Sequence, residues 1–383
     1  MDVLVVLLAL YSLGMCFSLL GSISVKLMPR AGLDEAQFGS LISAFMFTSV
    51  ITSLIIGVLL DSIGYRPVAI LGFALTGIVI YILSRGKSYA SVLTASILLG
   101  FGAMALNTAG NTLAPVILFG GENPAAAQNL ANVFFGLGLF FTPLIASGLF
   151  NRTTYENTVS VLALIAFVPL IFAIFAAFPA SQDAGFVLGD AVALLAEPTV
   201  IAAALALFFY VGMEMTMNNW LPAYGKEVIT GEALKTESAD VDTSAARLIS
   251  FFAVGMMAGR LIASGLPLTE WGGWFIAAVA LVAGIVIYVM TVTNKLNISR
   301  IFAALAGLVF GPIFPTTVGV TFAQHDPSVY GSIFGIIFAV GLLGGVVLPG
   351  WIGRLAKGSS VQKGMRILLG ACVLLIILSI ILG

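Results

Sequence analysis

Long apolar runs alternate with short polar breaks along the whole chain. A membrane-spanning helix takes about 20 consecutive apolar residues. Twelve runs reach that length, at approximately 3–27, 36–60, 67–84, 90–118, 124–150, 156–178, 196–225, 243–266, 273–293, 298–322, 328–352 and 364–382. None shows the roughly 10-residue apolar/polar alternation of a membrane strand, so each run predicts a helix. Many of the 42 glycines fall inside the runs, where small residues let membrane helices approach closely.

The two longest breaks run from Pro179 to about Glu197 and from Gly225 to Thr243. The first opens Pro179-Ala-Ser-Gln-Asp-Ala-Gly185 near mid-chain and separates six runs from six. The pattern predicts an all-α membrane protein of twelve transmembrane helices in two pseudo-symmetric six-helix bundles. The first bundle is expected at 1–180, a central cytoplasmic linker at 181–195 and the second bundle at 196–383. Two weak repeats support the division. Gly138-Leu-Phe-Phe-Thr-Pro143 parallels Gly344-Gly-Val-Val-Leu-Pro349, and Gly57-Val-Leu-Leu-Asp61 loosely parallels Gly255-Met-Met-Ala-Gly259-Arg260. Parallel six-helix repeats around a central cavity are one transporter plan. No break is long enough for a soluble catalytic domain, which argues against an enzyme.

Composition agrees. The 383 residues are 60% hydrophobic and 9% charged, against about 25% charged in soluble domains, and the mean hydropathy is +1.13. A net charge of −1 gives no sign of a nucleic-acid partner. The expected partners are a small-molecule substrate and the lipid bilayer, with the chain acting as a monomer. Cys16 and Cys372 lie in apolar runs near opposite ends and read as small buried hydrophobes. The one histidine, His325, sits in a loop without a Cys/His cluster, so no structural zinc and no cofactor are expected. The N-terminus lacks a basic leading segment and a cleavage site, so its first run reads as a membrane helix, not a signal peptide.

Against this background Glu214 stands out, within Leu207-Phe-Phe-Tyr-Val-Gly-Met-Glu214-Met-Thr-Met-Asn-Asn-Trp220. A charge deep in a bilayer is costly, and such residues face a cavity and do a job. Tyr210, Glu214 and Asn218 recur every four residues and form one polar stripe. Asn107 and Asn111 repeat this spacing, as do Gln128 and Asn132. If the three stripes converge, they make a wet cavity of amides, a phenol and one carboxylate. That chemistry suits a sugar: amides both donate to and accept from hydroxyls, and Trp220 or Phe314 could stack on a ring face. Structural hydrogen bonding between helices accounts for any single asparagine equally well. Glu214 has three readings: a proton carrier, a sodium ligand helped by amide oxygens, or a direct contact to a cationic substrate. If transport is coupled, the expected ion is a proton or sodium, and no metal is expected other than sodium near Glu214.

Between the second and third runs stands Gly57-Val-Leu-Leu-Asp61-Ser-Ile-Gly64-Tyr-Arg66-Pro67. Gly57 permits close helix approach, Gly64 permits positive φ, and Pro67 suits the start of a helix. Asp61 and Arg66 can pair or cap helix ends. The spacing resembles the loop signature of the major facilitator superfamily, with Ser62 and Tyr65 at two places that are often basic. Gly57, Asp61, Gly64, Arg66 and, in the second half, Arg260 are the corresponding gating positions. A finer resemblance, to the fucose/glucose-type sugar symporters, rests on four stretches. These are Tyr210-Val-Gly-Met-Glu214 with Asn218-Asn-Trp220-Leu-Pro-Ala-Tyr224, Asn107-Thr-Ala-Gly-Asn111, Gln128-Asn-Leu-Ala-Asn132-Val-Phe-Phe-Gly136-Leu-Gly138, and Phe310-Gly-Pro-Ile-Phe314-Pro315. It implies ion-coupled secondary transport of monosaccharides by alternating access between the halves. Proton-coupled members carry acids in the first and fourth helices; here neither run holds one beyond the terminal Asp2. The alternative reading is a proton-coupled exporter of drugs, lipids or cationic compounds.

The resemblance implies an inner-membrane protein with both termini cytoplasmic. Basic residues then number two on the inside (Arg66, Arg260) and fourteen on the outside, the reverse of the usual cytoplasmic excess.

Overall fold

The computed structural model describes residues 1–179, 188–230, 239–268, 270–356 and 360–383; residues 181–187 of the expected linker lie outside these. The described residues are almost wholly helical. The principal helices are α1 (Asp2–Ala31), α2 (Glu35–Ile63), α3 (Tyr65–Arg85), α4 (Tyr89–Ile117), α5 (Pro124–Phe150), α6 (Tyr155–Phe167, then Pro169–Phe175), α7 (Pro198–Thr230), α8 (Ala239–Ala263), α9 (Gly272–Val292), α10 (Leu296–Phe310, then Ile313–Ala323), α11 (Tyr330–Ala356) and α12 (Val361–Met365, then Ile367–Leu382). Among the described residues eleven helices are long and apolar enough to cross a membrane. The twelfth expected position is held by the 25-residue α8. Two expected single helices are interrupted at proline: α6 restarts at Pro169 and α10 breaks at Gly311-Pro312. Proline lacks the N–H that the ladder needs and crowds the preceding turn.

Local chemistry sets the helix ends. Asp34 begins α2 with a capping box, accepting from Gln37 N–H at 2.7 Å while the Gln37 side chain accepts from Asp34 N–H at 3.2 Å. Ser88 begins α4 in the same way with Ser91. α1 stops at Gly32, whose φ of 64° is the left-handed cap that glycine adopts without steric cost.

Contacts group the chain into two compact units. The first comprises Met1–Glu122, Ala131–Leu194 and His325–Ala339; the second comprises Asn123–Leu130, Leu195–Gln324 and Val340–Gly383. The first turns of α11 thus pack with the first unit, and the first turns of α5 with the second.

Glycines mark the tightest helix crossings. In the first unit a Cβ at Gly14 would run into the Phe135 carbonyl, and one at Gly138 into the Tyr11 carbonyl, so α1 and α5 touch backbone to backbone. In the second unit Gly212 and Gly344 make the matching crossing of α7 and α11. The Gly138 and Gly344 repeats therefore mark the same structural event. The other repeat pair does not: Gly57 meets Gly331 of α11, whereas Gly255 and Gly259 meet the α10 carbonyls of Ala304 and Leu308.

Candidate functional site

Glu214 sits sixteen residues from either end of the 33-residue α7. At 1.5 Å per residue this leaves about 24 Å of helix on each side. Glu214 as a whole residue is half-buried. One turn earlier, Tyr210 is fully buried, with its ring 6.3 Å from Phe310 and 6.4 Å from Phe314 between centroids. The Tyr210 hydroxyl lies beside Glu214 and Arg260.

Arg260 lies in the last turn of α8, only 3% exposed, in electrostatic reach of Glu214 and Tyr210. Its place follows from the sequence of α10. The carbonyl of residue 311 would take the N–H of residue 315, but Pro315 has none. Arg260 Nε donates to the Gly311 carbonyl at 3.1 Å in its stead. The guanidinium can come this close because Gly259 and Gly311 bring the backbones of α8 and α10 into contact. A buried arginine is stable only when charge-compensated and hydrogen-bonded, and Glu214 and Gly311 contribute to both conditions.

The first unit holds a second polar cluster. Asn111 Nδ2 donates to the Asn107 side-chain oxygen at 2.8 Å and to the Asn107 carbonyl at 3.0 Å. Asn132 Nδ2 donates to Asn111 Oδ1 at 2.9 Å. The three side chains are 1%, 1% and 4% exposed. Three of the amides expected to contact solute are thus joined across α4 and α5.

The remaining candidates are more dispersed. Gln128 is buried near the start of α5. Its neighbour Asn129, not singled out by periodicity, donates to Thr316 Oγ1 at 2.9 Å. Phe314 is buried against Tyr210. Asn218 is half-buried. Trp220 Nε1 donates to the Pro349 carbonyl at 3.2 Å, and its ring lies over Gly353, which ties α7 to α11.

The loop motif behaves as two caps. Asp61 accepts from the Gly331 and Ser332 N–H groups at 2.8 and 2.7 Å, at the start of α11. Arg66 Nη2 donates to the carbonyls of Ile174 and Ala176, at the end of α6. The two charges serve opposite helix ends, each in the favourable sense of the helix dipole. Gly64 turns the chain between them at a φ of 83°, and Gly57 lets α2 meet Gly331.

The family model described as Major Facilitator Superfamily matches residues 4–349. The chain belongs to that superfamily. Its fold agrees with superfamily members of known structure. A crystal structure of the major facilitator transporter FucP in an outward conformation superposes with a TM-score of 0.81 at 18% identity, covering 99% of this chain and 98% of FucP. The human organic anion transporter MFSD10 (TETRAN) gives a TM-score of 0.78 at 16% identity over 98% of both chains. By sequence, the chain is 27% identical over 329 residues to a glucose/galactose transporter of Brucella abortus, covering 82% of this chain and 77% of that one. It is 23% identical over 332 residues to the synaptic vesicular amine transporter of Mus musculus, covering 85% of this chain and 62% of that one. As a superfamily member, the chain is a multi-pass integral membrane transporter and not an enzyme.

Proposed function

We propose that the protein is a secondary active transporter of a neutral, hydroxyl-rich solute of the monosaccharide class. It works by alternating access and couples transport to a proton or sodium through Glu214. The observation that carries the reading is the Tyr210–Glu214–Arg260 group. An uncompensated intramembrane carboxylate would suit a cationic cargo, but the nearby Arg260 offsets that charge. A solute without net charge, rich in donors and acceptors, fits the balance better. The Tyr210 hydroxyl of the second unit is a group of the kind that holds a sugar hydroxyl, and so, separately, are the amides of Asn107, Asn111 and Asn132 in the first unit. Such groups also discriminate, because an analogue that leaves them unpaired loses their hydrogen bonds. The similarity to a glucose/galactose transporter supports the same substrate class. The exporter alternative has the amine transporter on its side, and the buried arginine weighs against it.

In this reading the partners are one small solute and one coupling ion, with no cofactor, no nucleic acid and a single copy of the chain. The protein sits in the plasma membrane with both termini cytoplasmic. A cysteine at Ser62 then reacts with an impermeant thiol reagent from the cytoplasm and one at Ser88 from the opposite face. Reversed labelling would assign the basic face to the cytoplasm.

The test is uptake of labelled hexoses into proteoliposomes with an imposed proton or sodium gradient. Gradient-dependent accumulation is expected. No hexose uptake, together with gradient-driven movement of organic cations, would overturn the reading.

A further inference from the structure

A trough of about 600 Å³ lies on the second unit along α8 and α10. Its size falls within the range of about 300–1,000 Å³ usual for ligand sites. The cause is the small-residue packing described above. Gly255, Ala258 and Ala304 bring the two helices together and leave the surface above them hollow, while Val254, Ile301 and Leu308 form apolar walls. The lining is apolar except at one end, where Asn297 and Arg300 lie in the first turns of α10. From Arg300 to Leu308 the trough runs about 12 Å along the helix axis, at 1.5 Å per residue.

The polar end is incompletely satisfied. Arg300 Nη1 donates to Asn297 Oδ1 at 3.2 Å. Arg300 Nε is enclosed and has no acceptor among the described residues, although a guanidinium carries five donors in a fork that matches phosphate oxygens. The α10 N-terminus has no side-chain cap, with Lys295 at the capping position. No acid occurs between Glu270 and Asp326 in the sequence.

We propose that this trough is a binding site for an anionic glycerophospholipid, with an acyl chain along α8 and α10 and the phosphate on Arg300. Charge complementarity selects the occupant. An apolar solute would fill the trough and leave the guanidinium charge uncompensated. A free phosphate would satisfy Arg300 and leave the apolar length empty.

The experiment uses the full chain, delipidated in detergent and titrated with phosphatidylglycerol, phosphatidylcholine or inorganic phosphate, with bound lipid read by native mass spectrometry and thermal unfolding alongside. The wild type should retain phosphatidylglycerol in preference to phosphatidylcholine. Arg300→Gln should weaken phosphatidylglycerol binding roughly fivefold. Ala258→Leu, which narrows the trough and leaves the guanidinium untouched, should weaken it as well. Arg300→Lys keeps the charge and should retain most of the preference, so it decides the matter if Arg300→Gln does not fold. Equal retention of the two lipids, or unchanged binding in both Arg300→Gln and Ala258→Leu, would overturn the proposal. Stabilisation by inorganic phosphate equal to that by phosphatidylglycerol would also overturn it, in favour of a free-anion site.

Discussion

Asp61 holds the backbone N–H of Ser332 at 2.7 Å, and so fastens the end of α2 to the first turn of α11. The same carboxylate takes the Gly331 N–H at 2.8 Å, and Gly57 and Gly331 let the two backbones approach closely enough for both bonds. A carboxylate at a helix N-terminus gains from the dipole as well as from the hydrogen bonds.

Replacing Asp61 by asparagine removes the charge and keeps the shape. Hydrogen bonds to charged groups contribute about 1.5–3 kcal/mol, so local opening at the start of α11 should become easier by a comparable amount. Amide hydrogen exchange at Ser332 measures this. Faster exchange in Asp61→Asn, with the rest of α11 unchanged, is the expected result; unchanged protection would remove the cap from the account.

Arg260 and Glu214 should behave as an energetically coupled pair. Arg260→Met strands the Gly311 carbonyl and removes the cation in electrostatic reach of Glu214, and should destabilise the protein by about 1–3 kcal/mol, the range for leaving a buried polar group unsatisfied. Adding Glu214→Gln removes the stranded charge, so the double variant should be more stable than Arg260→Met alone. Thermal unfolding of the two single variants and the double variant yields the coupling energy, and strict additivity would show that the two charges do not sense each other.

Glycine crossings give a contrast within one helix. A Cβ at Gly344 would strike the Phe208 carbonyl, whereas one at Gly350 meets nothing within 4 Å. Gly344→Val should prevent accumulation of folded protein, while Gly350→Ala should fold normally and gain slightly in helix propensity. Fluorescence-detected size exclusion of the two variants is a sufficient assay.

These relationships were unequally legible in the sequence. The helices were read directly from apolar run length, because the bilayer fixes that length. The Gly138 and Gly344 repeat was legible because a backbone-to-backbone crossing tolerates only glycine, and the positive φ of Gly64 follows from the turn it makes. The role of Arg260 was not legible. Its glycine-flanked position near the end of an apolar run looks like a loop signature, and its acceptor lies 51 residues away. One signal was available: Pro315, four residues after Gly311, guarantees a carbonyl in need of a donor. Asn129 was passed over because it falls off the Gln128–Asn132 stripe, on the side of α5 that meets Thr316. The repeat linking Gly57 to Gly255 was misleading in detail, since glycine pairs recur wherever membrane helices cross and do not identify which helix they meet.

Coupling of transport through Glu214 is open to a direct test. The direct measurement is accumulation of labelled hexose in proteoliposomes containing Glu214→Gln, under an imposed proton or sodium gradient, beside an exchange assay without a gradient. The amide keeps the size and hydrogen-bonding capacity of the side chain and removes its charge and its capacity to take up a proton. Loss of gradient-driven accumulation with hexose exchange retained is the predicted result. Full active accumulation by Glu214→Gln would contradict the account.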